Sequence, residues 1–268
     1  MAGEILLERS GDRATITLRQ AGRRNAMDSG MWSTLRDTLG ELGTAPPRVL
    51  VLTGADGHFS AGMDLQPGHA LLDAIRSTAR DKDAHQAAEI LSALRATIDL
   101  IATFPAPTIA AVEGSCVGAG LEIALACDLR VMARTAIVAF PETRVGFIPD
   151  IGGTARAVQR LGAGGAALLI LTGRRIDAET AHASRLTEAL ADTGEALSEA
   201  YRLADEILAG APTAIEQALQ VLRLAPDLTL ADALAVEKEA AVAALLSGEC
   251  LEGIDAFFER RAPQWTGE

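Results

Sequence analysis

Two stretches of this chain share one design, and it limits the fold more than anything else in the sequence. "RVLVLTGADGHFSAGMDL" (Arg48–Leu65) and "PTIAAVEGSCVGAGLE" (Pro107–Glu122) each run from a short apolar segment into small residues and then toward a helix. A short, continuously apolar run bounded by turn residues reads as a strand buried on both faces, the kind found in parallel sheets covered by helices. The small residues mark the turn out of it. Glycine admits positive φ and close approach of another backbone or a ligand. At a helix start the free N–H groups point outward, with the positive end of the dipole behind them. Two such turns facing one another would offer two N–H donors to a developing oxyanion. Taken singly, each is also an ordinary strand-to-helix turn. A phosphate-cradling loop is a third option, but neither segment has the GxxxxGK[ST] spacing, and "GSCVGAG" lacks the acidic partner of a dinucleotide fingerprint.

The rest of the chain supports an α/β body. "EILLER" and "RATITL", separated by Ser10-Gly11-Asp12, form a hairpin signal. A helix is expected from about Ser29 to Leu42, with apolar Met31, Trp32, Leu35, Leu39 and Leu42 on one face. Pro67 to Pro105 reads as two helical pieces. "GLEIALACD" is a short helix, "LRVMA" a strand, and "AIVAF" short and extended; Gly152-Gly153-Thr154 opens a helix to about Leu161, with further helices after it. From about Asp192 onward no strand pattern appears, and four helical stretches follow. The expected organisation is therefore an α/β core over residues 1–191 and a helical region over 192–268, with parallel strands joined by right-handed crossovers.

Three acids stand at glycine- and proline-rich ends of apolar elements: Glu122, Glu142 and Asp150. Each has a structural explanation. Glu122 suits the positive end of a helix dipole, Glu142 follows a proline in a turn, and Asp150 is placed to cap the helix that begins near Gly152. Together they can share a partly dry pocket, where desolvation and mutual repulsion raise one pKa and leave another low, as general acid–base chemistry requires.

Composition excludes several classes. The net charge of -12 argues against nucleic-acid binding, which needs a basic face. Four scattered histidines show no metal-ligand spacing, and no Ser or Cys sits in a GxSxG elbow, which disfavours a metal site and a covalent hydrolase. Three cysteines without a CxxC pair, and an N-terminus lacking a signal-peptide pattern, lead to the expectation of a cytoplasmic protein. The apolar windows are too short for a membrane span. Arg23 and Arg24, just before Asn25, either contact phosphate groups or solvate a loop.

Five ordered blocks then resemble the crotonase superfamily, the enoyl-CoA hydratase/isomerase family: "RRNAMDSGMWSTL", "RVLVLTGADGHFSAGMDL", "PTIAAVEGSCVGAGLEIALACDLRVMA", "FPETRVGFIPDIGGTARAVQRLG" and "EGIDAFFERRAPQW". The resemblance spans nearly the whole chain. It implies a crotonase-like spiral of ββα units with a C-terminal helical oligomerisation region, assembled as a homotrimer or dimer of trimers. It also implies an acyl-coenzyme A thioester substrate, with coenzyme A carried by the substrate and no permanently bound cofactor, no metal, no nucleic acid and no membrane partner.

Carried over residue by residue, the resemblance makes the N–H groups of Met63 and Ala119 the oxyanion hole and Glu122 and Glu142 the hydratase acid–base pair. Ala61, Met63, Asp64 and Leu65 would border the adenine end of coenzyme A, with Arg23 and Arg24 toward its phosphates. The segment Gln66–Gln86 would wall the acyl pocket. Two departures stand out. Asp150 in "IPDIGGT" replaces the glycine of simple hydratases and matches an acid used by some isomerases of the family, and Ala21 stands where proline is more usual. The expected activity is hydration of a trans-2-enoyl-CoA. The alternatives are a double-bond isomerase using Glu142 and Asp150, and a non-catalytic acyl-CoA-binding protein.

Overall fold

The structure, a computed structural model, describes residues 2–265. Strands β1 (Glu4–Ser10) and β2 (Arg13–Arg19) form the expected hairpin, turning at Gly11 with φ +58°. Helix α1 (Ser29–Thr44) is capped by Asp28, whose Oδ1 accepts from the Met31 N–H at 2.8 Å, and it buries the five apolar residues that define its stripe. Strand β3 (Val49–Gly54), helices α2 (Ala70–Asp81) and α3 (Ala84–Ala102), and strand β4 (Thr108–Val112) follow. Then come β5 (Ser115–Val117), α4 (Ala119–Ala126), β6 (Leu129–Ala133) and β7 (Ile137–Ala139). A single 3-10 turn at Glu142–Val145 leads to α5 (Gly153–Thr172), β8 (Arg175–Asp177), α6 (Ala178–Ala183) and β9 (Ala189–Ala191). Four helices complete the described chain: α7 (Ala196–Leu208), α8 (Pro212–Leu224), α9 (Leu230–Leu246) and α10 (Glu249–Glu259). Among the described residues no helix is long and apolar enough to cross a membrane.

Strands β1, β2, β3, β4, β6 and β9 make one sheet in that order, antiparallel at β1/β2 and parallel from β2 onward. The unbroken apolar runs are explained by its two covered faces. Leu50, Leu52, Ala110 and Val112 enter the main core, whereas Val49, Val51, Ile109, Ala111, Val131 and Ala133 meet Ala196, Ala200 and Ala204 of α7. The expected boundary after residue 191 thus falls just before a helix that packs on the sheet.

A second, smaller sheet turns this into a spiral. β5 pairs parallel with β7, and β7 antiparallel with β8. Single bridges continue the stack, Ser60 to Cys116 and Met27 to Met63, both parallel. Each turn of chain therefore lays one strand in the large sheet, bends, lays a short strand or bridge in the small one, and departs as a helix. That is the ββα spiral. The three-residue strands β5, β8 and β9 were not anticipated. Helix α5 breaks at Gly162 (φ 69°, ψ 169°), one residue past its expected end, and then continues to Thr172.

One buried cation ties the layers together. Arg130 on β6 is fully buried. Its guanidinium donates to the carbonyls of Cys127 (2.7 Å), Leu186 (2.9 Å) and Asp128 (3.1 Å), and to Glu188 Oε1 (2.6 Å). It thereby satisfies carbonyls at the C-terminal end of α4, where positive charge is also favoured by the dipole.

Candidate active site

The two glycine turns meet. The Gly62 carbonyl accepts from the Met27 N–H at 2.7 Å, so the trans peptide directs the Met63 N–H the opposite way. The Gly118 carbonyl accepts from the Glu122 N–H at 3.1 Å as α4 begins, which likewise frees the Ala119 N–H. Among the described residues neither amide has a backbone acceptor. Gly62 has φ +91°, and a Cβ there would lie 2.6 Å from the Val117 carbonyl and 3.2 Å from the Ala119 nitrogen. A side chain at Gly62 would therefore force apart the two turns that carry the candidate donors.

Glu122 comes from the first turn of α4 and is 2% exposed. Its Oε1 accepts from the Gly153 N–H (2.7 Å) and the Ile151 N–H (3.1 Å), donors supplied by the N-terminal approach to α5. Gly153 is needed there, because a Cβ would fall 2.6 Å from that oxygen. Burial is the largest influence on the carboxyl. Repulsion from Glu142 and Asp150 adds to it, the two N–H bonds oppose it, and the pKa is pushed up to about 8.

Glu142 opens the 3-10 turn after β7, and both its carboxyl oxygens are buried without a hydrogen-bond partner among the described residues. Its Oε1 would sit 3.1 Å from a Cβ at Gly118, which places it against the second turn. Burial first, then Asp150, raises its pKa to about 7. Asp150 is raised too, chiefly by burial. The cap of α5 is Gly152, with φ +113° and no side-chain bond, so the capping explanation for Asp150 does not hold. A solvated turn residue is equally excluded for Glu142.

All three acids line one cavity of about 410 Å³ with Met63, Ala119 and Gly118. Its other walls are mainly apolar, with Thr78 of α2 and Lys82 and Asp83 of the α2–α3 turn as the polar exceptions. Ile75 and Ala79 come from α2, Ala87, Ile90, Leu91 and Leu94 from α3, and Val145, Phe147 and Ile148 from the loop after Glu142. The acyl-pocket wall expected from Gln66–Gln86 is only half of what is found, since the α3 residues contribute as much. The Ile151 and Gly153 amides were also not anticipated. The run "DIGGT" held their signal, as paired glycines at a helix start allow a carboxylate to approach the backbone closely.

The candidate coenzyme A residues divide. Ala61, Met63 and Leu65 line the cavity. Asp64 does not: it is 5% exposed, its N–H donates to the Met27 carbonyl, and its carboxylate accepts from the Gln66 N–H and Gln20 Nε2 and pairs with His69 Nε2 at 3.1 Å. It braces the turn from behind. Arg23 donates to Gln66 Oε1 and Arg24 is exposed with φ +50°, both outside the acid-lined cavity but beside the turn that forms its rim.

These features have counterparts in known proteins. The sequence profile described as enoyl-CoA hydratase/isomerase matches residues 8–268. The human enoyl-CoA hydratase domain-containing protein 2, mitochondrial, is 35% identical over 94% of this chain and 85% of its own length. An enoyl-CoA isomerase/hydratase of Mycosarcoma maydis is 34% identical over 83% of this chain and 77% of its own. The crystal structure of an enoyl-CoA hydratase from Polaromonas sp. JS666 superposes with a TM-score of 0.87 at 34% identity, over 98% of this chain and 99% of that one. With a full-length profile match, the spiral of ββα units and the paired glycine turns in agreement, this chain belongs to the enoyl-CoA hydratase/isomerase family of the crotonase superfamily.

Proposed function

We propose that the protein is an enoyl-CoA hydratase acting on trans-2-enoyl thioesters. One observation carries this reading: two buried carboxyls with raised pKa values, Glu122 and Glu142, converge on a cavity that also receives two uncommitted main-chain amides. Near neutral pH such a pair holds about one proton, so one member serves as base and the other as acid. A water held between them gives up a proton to the base as its oxygen bonds C3. The C2=C3 electron pair moves toward the thioester, whose oxygen gains negative charge against the Met63 and Ala119 amides. C2 then takes a proton as the enolate collapses. Each oxyanion donor contributes about 3 kcal/mol to the barrier reduction. Coenzyme A belongs to the substrate, and no resident cofactor is needed.

Loss of the conjugated thioester absorbance of crotonyl-CoA tests the reading. Absence of turnover with enoyl-CoAs of every chain length would rule it out, and binding without turnover would favour a non-catalytic acyl-CoA carrier. Asp150 supports the second reading, double-bond isomerisation with Glu142, because it faces the same cavity and caps no helix. Asp150→Asn separates them. A hydratase keeps its activity within about threefold, whereas an isomerase that uses Asp150 to move protons loses about 100-fold or more. The exposed apolar faces of α9 and α10 support assembly as a homotrimer or dimer of trimers.

A further inference from the structure

We infer that the site favours straight aliphatic acyl chains of about ten carbons or more, laid along α3; this rests on the acyl-thioester reading above. Four residues on one face of α3, Ala84, Ala87, Leu91 and Leu94, line the cavity. Their spacing of three and four places them in a row along the helix. The Leu94 end is the acid end. Asp99, about a turn and a half farther on, lies 3.5 Å from Arg156 Nη2, and Arg156 packs against Gly152, next to the Gly153 amide that holds Glu122. Ala84 is therefore at the remote end, beside the turn Lys82-Asp83 that joins α2 to α3.

Ten residues separate Ala84 from Leu94, which at 1.5 Å each makes a groove about 15 Å long. An extended alkyl chain advances roughly 1.3 Å per carbon, the projection of a bond of about 1.5 Å. The groove therefore takes about eleven to twelve carbons. The opposing wall is Ile75 and Ala79 of α2 with Val145, Phe147 and Ile148, and the last three are exposed to solvent by 56, 41 and 60%. An exposed apolar row that continues a catalytic cavity is the expected counterpart of an apolar chain. Alanines occupy the remote positions, 79, 84 and 87, where a larger residue would close the groove. Ala79, Ala84 and Lys82 are exposed, so the end is open. A chain longer than the groove emerges into water rather than clashing.

The test is a series of trans-2-enoyl-CoAs from C4 to C16, read as kcat/KM, beside competition binding of the saturated acyl-CoAs. A fully buried methylene is worth about fourfold. A groove open along one side gives less, and a rise of at least tenfold from C4 to C10 is expected, with a plateau beyond C12. In Ala87→Phe the ring blocks the groove about 10 Å from Leu94, after about eight carbons, and the C12/C4 ratio falls at least about fivefold in both catalysis and binding. Ala84→Leu, at an exposed position, makes a smaller shift confined to C10 and longer and serves if Ala87→Phe does not fold. A response flat within threefold from C4 to C12, or equal losses at all lengths in both variants, overturns the inference. Length-dependent binding without turnover sinks the hydratase reading alone, and no binding at any length sinks both.

Discussion

The carboxyl of Glu122 occupies a place where ionisation is disfavoured, and this has consequences for stability as well as chemistry. Its pKa lies near 8 in the folded protein against an ordinary value of 4.5. A carboxyl raised by folding contributes its full stability below the unfolded value, and that contribution is lost as pH climbs toward the folded one. Between about pH 4.5 and 8 the protein loses about 1.4 kcal/mol per pH unit through this group. Glu122→Gln keeps an oxygen for the Gly153 and Ile151 amides and removes the titration. The variant is therefore expected to melt higher than the parent at pH 8, by about 5 °C or more, and the gap should shrink toward pH 5. Differential scanning calorimetry across that range checks it, and a gap independent of pH counts against the buried, protonated Glu122. The same variant should lose about 100-fold or more in kcat, as should Glu142→Gln. For the parent, kcat/KM should follow a bell with limbs near 7 and 8 that belong to the coupled pair rather than to either residue.

At the level of elements, the long periodic segments were legible and, β7 apart, the three-residue strands were not. Helix α1 could be read because five apolar residues recur on one face, and β3 and β4 because buried parallel strands are apolar throughout. β5, β8 and β9 have three residues each, too few for any period to emerge, and pairing with distant strands holds them in place. The site was legible where a single residue type is demanded. Glycines flagged the two turns, and acids at apolar ends flagged the cavity. The glycines of "DIGGT" in the approach to α5 signalled that a carboxylate could come close there, but that it is Glu122, 31 residues away, depends on the fold. The glycine of that approach gives a test. Gly153→Ala puts a methyl 2.6 Å from Glu122 Oε1, and kcat is expected to drop at least about 100-fold while the fold survives. Gly40→Ala, in α1 with nothing within 4 Å of its Cβ, is the comparison. It should raise the melting temperature by about 2–4 °C and leave turnover unchanged. If Gly153→Ala turns over like Gly40→Ala, the anchoring of Glu122 does not matter to the chemistry.

For the molecule as a whole, the charges and the apolar surface of the last three helices serve different purposes. Arg223 of α8 makes a two-point pair with Asp128, at 2.8 and 2.7 Å, and donates to the Phe104 carbonyl, fixing α8 to the core. Beyond it, α9 and α10 turn large side chains outward. Leu246, Leu251, Phe257 and Phe258 are each more than two-thirds exposed, and Leu251, Ile254, Phe257 and Phe258 recur at the spacing of one helix face. A patch of that kind on a protein with net charge -12 is costly in water unless something covers it. Further copies of the same chain are the proposed cover, three to a ring as the family resemblance implies. Sedimentation equilibrium should therefore give three or six times the 27.9 kDa chain mass. Phe257→Asp with Phe258→Asp would bury two carboxylates in that contact, each costing several kcal/mol. The double variant should sediment as a smaller species with the same helical circular dichroism. A parent protein that already sediments as a single chain would leave the α10 face without the role given to it here, and the substitution would then raise solubility and change nothing else.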